Sequence, residues 1–298
     1  MNKEEKRSFL KEFRCVGGFI LFFVLFSGIL QGLFSLVSIL IEELLDVNKI
    51  SSFIINVLNY IAIIFTYYLG YRIFLKKWNN NINYKIDKKY NKLHIVLDII
   101  IAIILIRFCW ILWEYFLNFV NYNQSNLDDS LDFISIIYIA LIGPLCEEVI
   151  MRGYVLSTLK KYGVYLGVII SSFVFGMFHG TVTQIIPCIF IGIILSTLTL
   201  KYKSILPSII AHIITNSITI LLFFINIKNE FLINIIKIVI IVLSMVILIY
   251  YLIVNFKNIK EFMKSIKKFL VMQFQSIAFI LFILLEIFNV VMEVFFIK

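Results

Sequence analysis

Residues 133–161 read FISIIYIALIGPLCEEVIMRGYVLSTLKK. A bilayer takes about 20 apolar residues to cross as a helix, and this run is long enough. Yet two adjacent carboxylates, Glu147 and Glu148, stand in the middle of it, with Arg152 one turn after the second. On a helix Glu148 and Arg152 are i,i+4 neighbours and pair. Glu147 points about 100° away and is left without that partner. An ionisable side chain at membrane depth is costly and is by default a functional candidate. The plain alternative is an ion-pair cluster that only packs. Pro144 removes a backbone donor just before the acids and predicts a kink.

The rest of the chain is of the same kind. Of its 298 residues 61% are hydrophobic, and the mean hydropathy is +1.00. That is too apolar for a soluble domain and predicts an all-α, polytopic transmembrane bundle. Further apolar runs lie at about 16–41, 52–75, 95–120, 164–179, 184–200, 205–224 and 232–254, and a last one runs to 296. With the run quoted above, they make eight or nine spans. The chain divides into amino-terminal helices (1–132), a core (133–226) and carboxy-terminal helices (227–298). All three prolines and seven of the twelve glycines fall between 140 and 210. Small residues let membrane helices approach closely, so spans four to seven read as one packed unit and the outer spans as lipid-facing padding.

The net charge of +9 does not imply a nucleic-acid partner, because the lysines fall between apolar runs. Residues 1–14 read as a basic arm, 72–92 and 257–268 as basic loops, and Glu42, Glu43 and Asp46 as an acidic loop. With the amino terminus in the cytoplasm, 22 of the 27 lysines and arginines fall inside and four outside. That asymmetry predicts a multi-pass protein of the cell membrane with a cytoplasmic amino terminus. The expected partners are membrane lipid and a membrane-associated peptide or protein. The four cysteines have no CxxC spacing, so neither disulfides nor a cysteine zinc site is expected. Asn123-Gln124-Ser125 is a formal glycosylation sequon that carries little weight in such a chain.

Only three histidines occur. His94 lies in a basic loop. His179 ends the fifth run, in Phe175-Gly176-Met177-Phe178-His179, and His212 shares a helix face with Asn216 in the seventh. An intramembrane histidine on its own is an interhelical hydrogen-bond donor more often than a catalyst. Two of them beside an unpaired glutamate and an asparagine, in consecutive spans, point to chemistry. A carboxylate and an imidazole can hold a water and remove its proton. A histidine and an asparagine amide on one face can donate to an oxyanion. The same groups can instead bind zinc, with Glu147, His179 and His212 as ligands and water as the fourth. The cofactor expectation is therefore either none or a divalent metal such as zinc. No H-E-x-x-H, G-x-S-x-G or glycine-rich phosphate loop is present.

The set E-E-x-x-x-R (Glu147, Glu148, Arg152), F-x-x-x-H (Phe175, His179) and H-x-x-x-N (His212, Asn216) resembles the CPBP intramembrane protease family. That family includes the type II CAAX prenyl endopeptidases and related bacteriocin-immunity proteins, and the resemblance covers about residues 133–226. It implies an endopeptidase whose site lies in a cavity open towards the cytoplasm. Glu147 with His179 would activate water, His212 with Asn216 would form the oxyanion hole, and Glu148 with Arg152 would orient the site. The family is often called a metalloprotease, and the motifs fit either a metal or a directly held water. Two function classes follow: a protease acting on a membrane-associated or lipidated substrate, and a non-catalytic immunity or scaffold protein that keeps the motifs for packing. A transporter is a weaker third, since intramembrane acids also serve proton relays. Arg107 and Glu114, seven apart, are expected to pair with other spans, and Glu286 and Glu293 to line a helix contact.

Overall fold

Apolar sequence with few breakers forms helix almost throughout. The computed structural model describes residues 3–45, 52–75, 83–122, 132–225, 229–254, 256–272 and 276–296. The sequon at Asn123, Asp46 of the acidic loop and the core's boundary at 226/227 lie outside the described residues, whereas Glu42 and Glu43, expected in that loop, are helical.

Among the described residues there are ten helices and no strand: α1 (Lys3–Leu45), α2 (Ser52–Gly70, extended by a π-turn Tyr71–Leu75), α3 (Lys92–Phe119), α4 (Phe133–Tyr162), α5 (Val164–Met177), α6 (Val182–Tyr202), α7 (Leu206–Ile225), α8 (Glu230–Val254), α9 (Phe256–Met272) and α10 (Ile277–Phe296). Eight of these, all but α5 and α9, are long and apolar enough to cross a membrane. The protein is a multi-pass helical membrane protein.

The 14-residue α5 is the centre. Eleven of its residues are buried, as expected of a helix that is apolar all round and too short to span. It meets α6 at glycines: a Cβ on Gly176 would stand 2.7 Å from Ile185 O, and one on Gly192 2.7 Å from Ser172 Cα. The small-residue expectation holds at this contact, where a methyl group would push two backbones apart.

Two expectations need correction. The amino-terminal arm is the start of α1, and it is packed: Phe9 and Phe13 are fully buried, and Glu12 Oε1 pairs with Lys161 Nζ at 2.6 Å. The basic loop 257–268 is helix α9. Its Phe262, Ile266 and Phe269 recur at i, i+4 and i+7 and pack inward, Phe269 against Phe173 at 5.2 Å. Lysines occupy the opposite face, and charges that look like a loop in composition are one side of an amphipathic helix.

Contacts place the loops at two ends. At one end, Asn83 Nδ2 donates to Lys203 O (2.8 Å), Tyr90 OH to Lys201 O (2.9 Å), and Lys201 pairs with Asp98 (2.5 Å). At the other, Trp113 Nε1 donates to Val182 O (3.2 Å) and Tyr122 OH to Glu293 Oε1 (3.0 Å). Glu114 pairs with Lys237 of α8 at 2.7 Å, the interhelical pair expected of it, whereas Arg107 Nη1 finds a hydroxyl, Thr219 Oγ1, at 3.1 Å.

Candidate active site

The site begins with the backbone of α4. Pro144 has no N–H, and the helix widens before it into a π-turn, Tyr138–Ile142, in which Gly143 N–H donates to Tyr138 O. Ile139 O is thereby left without a main-chain donor. Gly143, four residues on, is engaged elsewhere, and Pro144, five on, has nothing to give. Asn216 Nδ2 of α7 supplies the bond at 3.0 Å. The asparagine of H-x-x-x-N therefore caps the break that the proline makes.

One turn further along α4 is a buried charge cluster. Glu148 is fully buried, Arg152 is 1% exposed and His212 6%. Glu148 Oε1 accepts from Arg152 Nη1 at 2.8 Å and from His212 Nδ1 at 3.0 Å. Arg152 Nη2 donates to Gly192 O at 3.1 Å, and its guanidinium lies 4.6 Å from the ring centre of Phe175, a cation–π contact. The same ring meets His179 (5.1 Å) and His212 (5.7 Å) edge-on. The phenylalanine of F-x-x-x-H is thus the hub between the arginine and both imidazoles.

Glu147 is different. Its side chain is 25% exposed, and Oε2 stands 3.8 Å from His212 Nε2. That is too long for a hydrogen bond and within reach of one shared water. Because His212 donates from Nδ1 to Glu148, its Nε2 is the free ring atom on the Glu147 side. His179 is fixed in the same way, donating from Nδ1 to Phe175 O at 2.9 Å. Glu147 and His179 both line a cavity of about 300 Å³. Tyr138 and Met151 of α4 share its wall, with Phe23 and Gln31 of α1, Tyr67 of α2, and Glu286 and Asn289 of α10. Its residues run from mid-bundle towards the end that carries the α5–α6 turn, away from the basic loops. A cavity open towards the cytoplasm, as the resemblance implies, has no support in that placement.

Of the six motif residues, Glu147, Glu148, Arg152 and His212 form one connected group. His179 joins it through Phe175 and the cavity, and Asn216 faces the α4 backbone instead. The zinc alternative is tested by donor geometry. Both imidazoles are fixed through Nδ1, which suits a metal ligand. Among the described residues, however, no three histidine, cysteine or carboxylate groups converge as a metal set. Glu147, His179 and His212 in this arrangement do not fit a shared ion. Sequence reasoning missed Tyr67, Tyr138, Glu286 and Asn289 as cavity residues. None belongs to a motif, and the helices that bring three of them had been read as padding; α1, α2 and α10 wall the cavity.

Residues 129–218 match the family model of the Type II CAAX prenyl endopeptidase Rce1-like proteins. That match supports the CPBP/CAAX protease family for the core. The matched segment contains all six motif residues and ends within α7; α1–α3 and α8–α10 lie outside it. No curated protein and no solved structure matches the chain.

Proposed function

We propose that this protein is an intramembrane endopeptidase of the CAAX type, hydrolysing a peptide bond in a membrane-associated or lipidated substrate. The observation that carries the reading is Glu147: a partly exposed carboxylate on the wall of the cavity, 3.8 Å from the His212 ring nitrogen that is not bonded to Glu148. A water between Glu147 Oε2 and His212 Nε2 donates one hydrogen to each, which turns its lone pairs towards a bound carbonyl. Glu147 takes the proton as the oxygen attacks and returns it to the leaving nitrogen. His179, held through Nδ1, lines the same cavity and is the second imidazole placed to assist. The phenols of Tyr67 and Tyr138 share the cavity wall and are O–H donors that can serve the oxyanion. No step is assigned to a metal. The basic end of the bundle is assigned to the cytoplasm of a cell-membrane protein, with the amino terminus on that side.

The test is turnover of a peptide substrate by the purified full-length protein. Glu147→Gln is expected to lower kcat at least about a hundredfold with an unchanged melting temperature. Metal analysis and chelation on the same sample check the assignment of water to Glu147: one bound equivalent of zinc, with activity lost on chelation and restored by zinc, reverses it. A second reading, an immunity or scaffold protein, is favoured by one observation, the engagement of Asn216 in capping Ile139. Under that reading Glu147→Gln leaves the cellular phenotype intact.

A further inference from the structure

The cavity that holds Glu147 and His179 has a second carboxylate on its wall. Glu286 comes from the middle of α10, outside the matched segment, and the mechanism above does not use it. It is 3% exposed. Its Oε2 accepts from Asn289 Nδ2 at 3.2 Å, and it rests against Gly180, where a Cβ would stand 3.3 Å from Oε2. Gly180 follows His179, and this carboxylate and the imidazole line the same cavity. Among the described residues lining the cavity there is no lysine or arginine, and the neighbouring walls are the aromatic rings of Phe23, Tyr67 and Phe178. A carboxylate at membrane depth calls for a cation, and the partner it has is a neutral amide. Aromatic faces favour the same sign of charge.

We propose that Glu286 is a specificity-determining residue that binds a positively charged nitrogen of the peptide substrate beside the scissile bond. The inference rests on the protease reading. The cation is either a lysine or arginine side chain within the peptide or the free amine at its start. Both make the charge-assisted hydrogen bond that a desolvated carboxylate favours.

Three peptides of one sequence separate the sources: acetylated with a lysine, acetylated with norleucine in its place, and the norleucine peptide with a free amine. The full-length protein should show a KM about tenfold lower for one of the cationic peptides than for the acetylated norleucine peptide, a gap of about 1.4 kcal/mol. Glu286→Gln should erase that gap through KM, leaving kcat on the neutral peptide unchanged, and Glu286→Asp should keep part of it. No charge preference in the wild type, or a Glu286→Gln variant that loses kcat on all three peptides alike, overturns the proposal. If Glu286→Gln does not fold, the Asp variant decides: a reduced gap upholds the proposal and an unchanged gap overturns it. If the wild type cuts none of the peptides, the protease reading fails separately, and binding of the same peptides settles the subsite. A charge preference in Kd that Glu286→Gln removes upholds it; equal Kd values overturn it.

Discussion

At the residue scale, the motif side chains divide into those that face the cavity and those that hold the fold. Arg152 is of the second kind. Arg152→Leu leaves Glu148 buried beside His212 without its cation and is expected to cost about 3–5 kcal/mol, read by thermal unfolding in detergent. Asn216 is also of the second kind. Asn216→Ala strips Ile139 O of its donor and should cost about 1–3 kcal/mol. The loss should shrink when Pro144→Ala restores a backbone N–H, and a double-mutant cycle measures that coupling. Gly180 has φ +63°, a conformation an L side chain adopts at a cost of about 1–2 kcal/mol. Gly180→Ala is expected to lower stability by that amount and to press on Glu286, which the same melts and the KM for the cationic peptide report. The pairing of Glu148 with Arg152 was legible in the sequence because four-residue spacing fixes it. The task of Asn216 was not, because it depends on a carbonyl freed in a different helix.

At the element scale, α4 shows how local chemistry sets a long helix. Asp132 caps its start, accepting from Ser135 N at 2.7 Å. The hydrogen bonds from Ser135 hold its carboxyl below the usual carboxylate range, against a smaller opposing effect of burial, and Asn56 adds to the lowering. A carboxyl whose value is depressed in the folded state adds stability above its ordinary value and loses it as pH falls through the lowered one. Asp132→Ala should therefore cost about 1 kcal/mol at neutral pH. The gap to wild type should close only in acid below the ordinary carboxylate range, as paired melts across pH will show. The break at Pro144 was readable, but its form, a wide turn closed by another helix, was not. Helix α9 was missed although its apolar residues follow a helical period, since counting lysines obscures which face they occupy. The shortness of α5 was plain from the run of apolar residues.

At the scale of the whole molecule, the alternation of ends predicted from charge agrees with the contacts that gather 83–91 with the α6–α7 turn, and the α1 start with the end of α4. One count changes: Arg152 belongs to the buried cluster and leaves the inside tally. The sidedness remains to be measured by thiol labelling of intact cells, with single cysteines at Lys85 and Asn229. Labelling at 229 without permeabilisation, and at 85 only after it, is expected; the reverse would invert the bundle. The lipid-facing role expected of the outer helices suits α8, most of whose surface is exposed; α1, α2 and α10 are also largely exposed, but each turns part of its surface to the cavity. Those three close the cavity around groups encoded between 138 and 180. On the protease reading, the groups proposed to break a bond and the walls proposed to choose it thus lie on different stretches of the chain. On that reading, rebuilding α10 alone would retarget the cavity while leaving Glu147 and His179 in place.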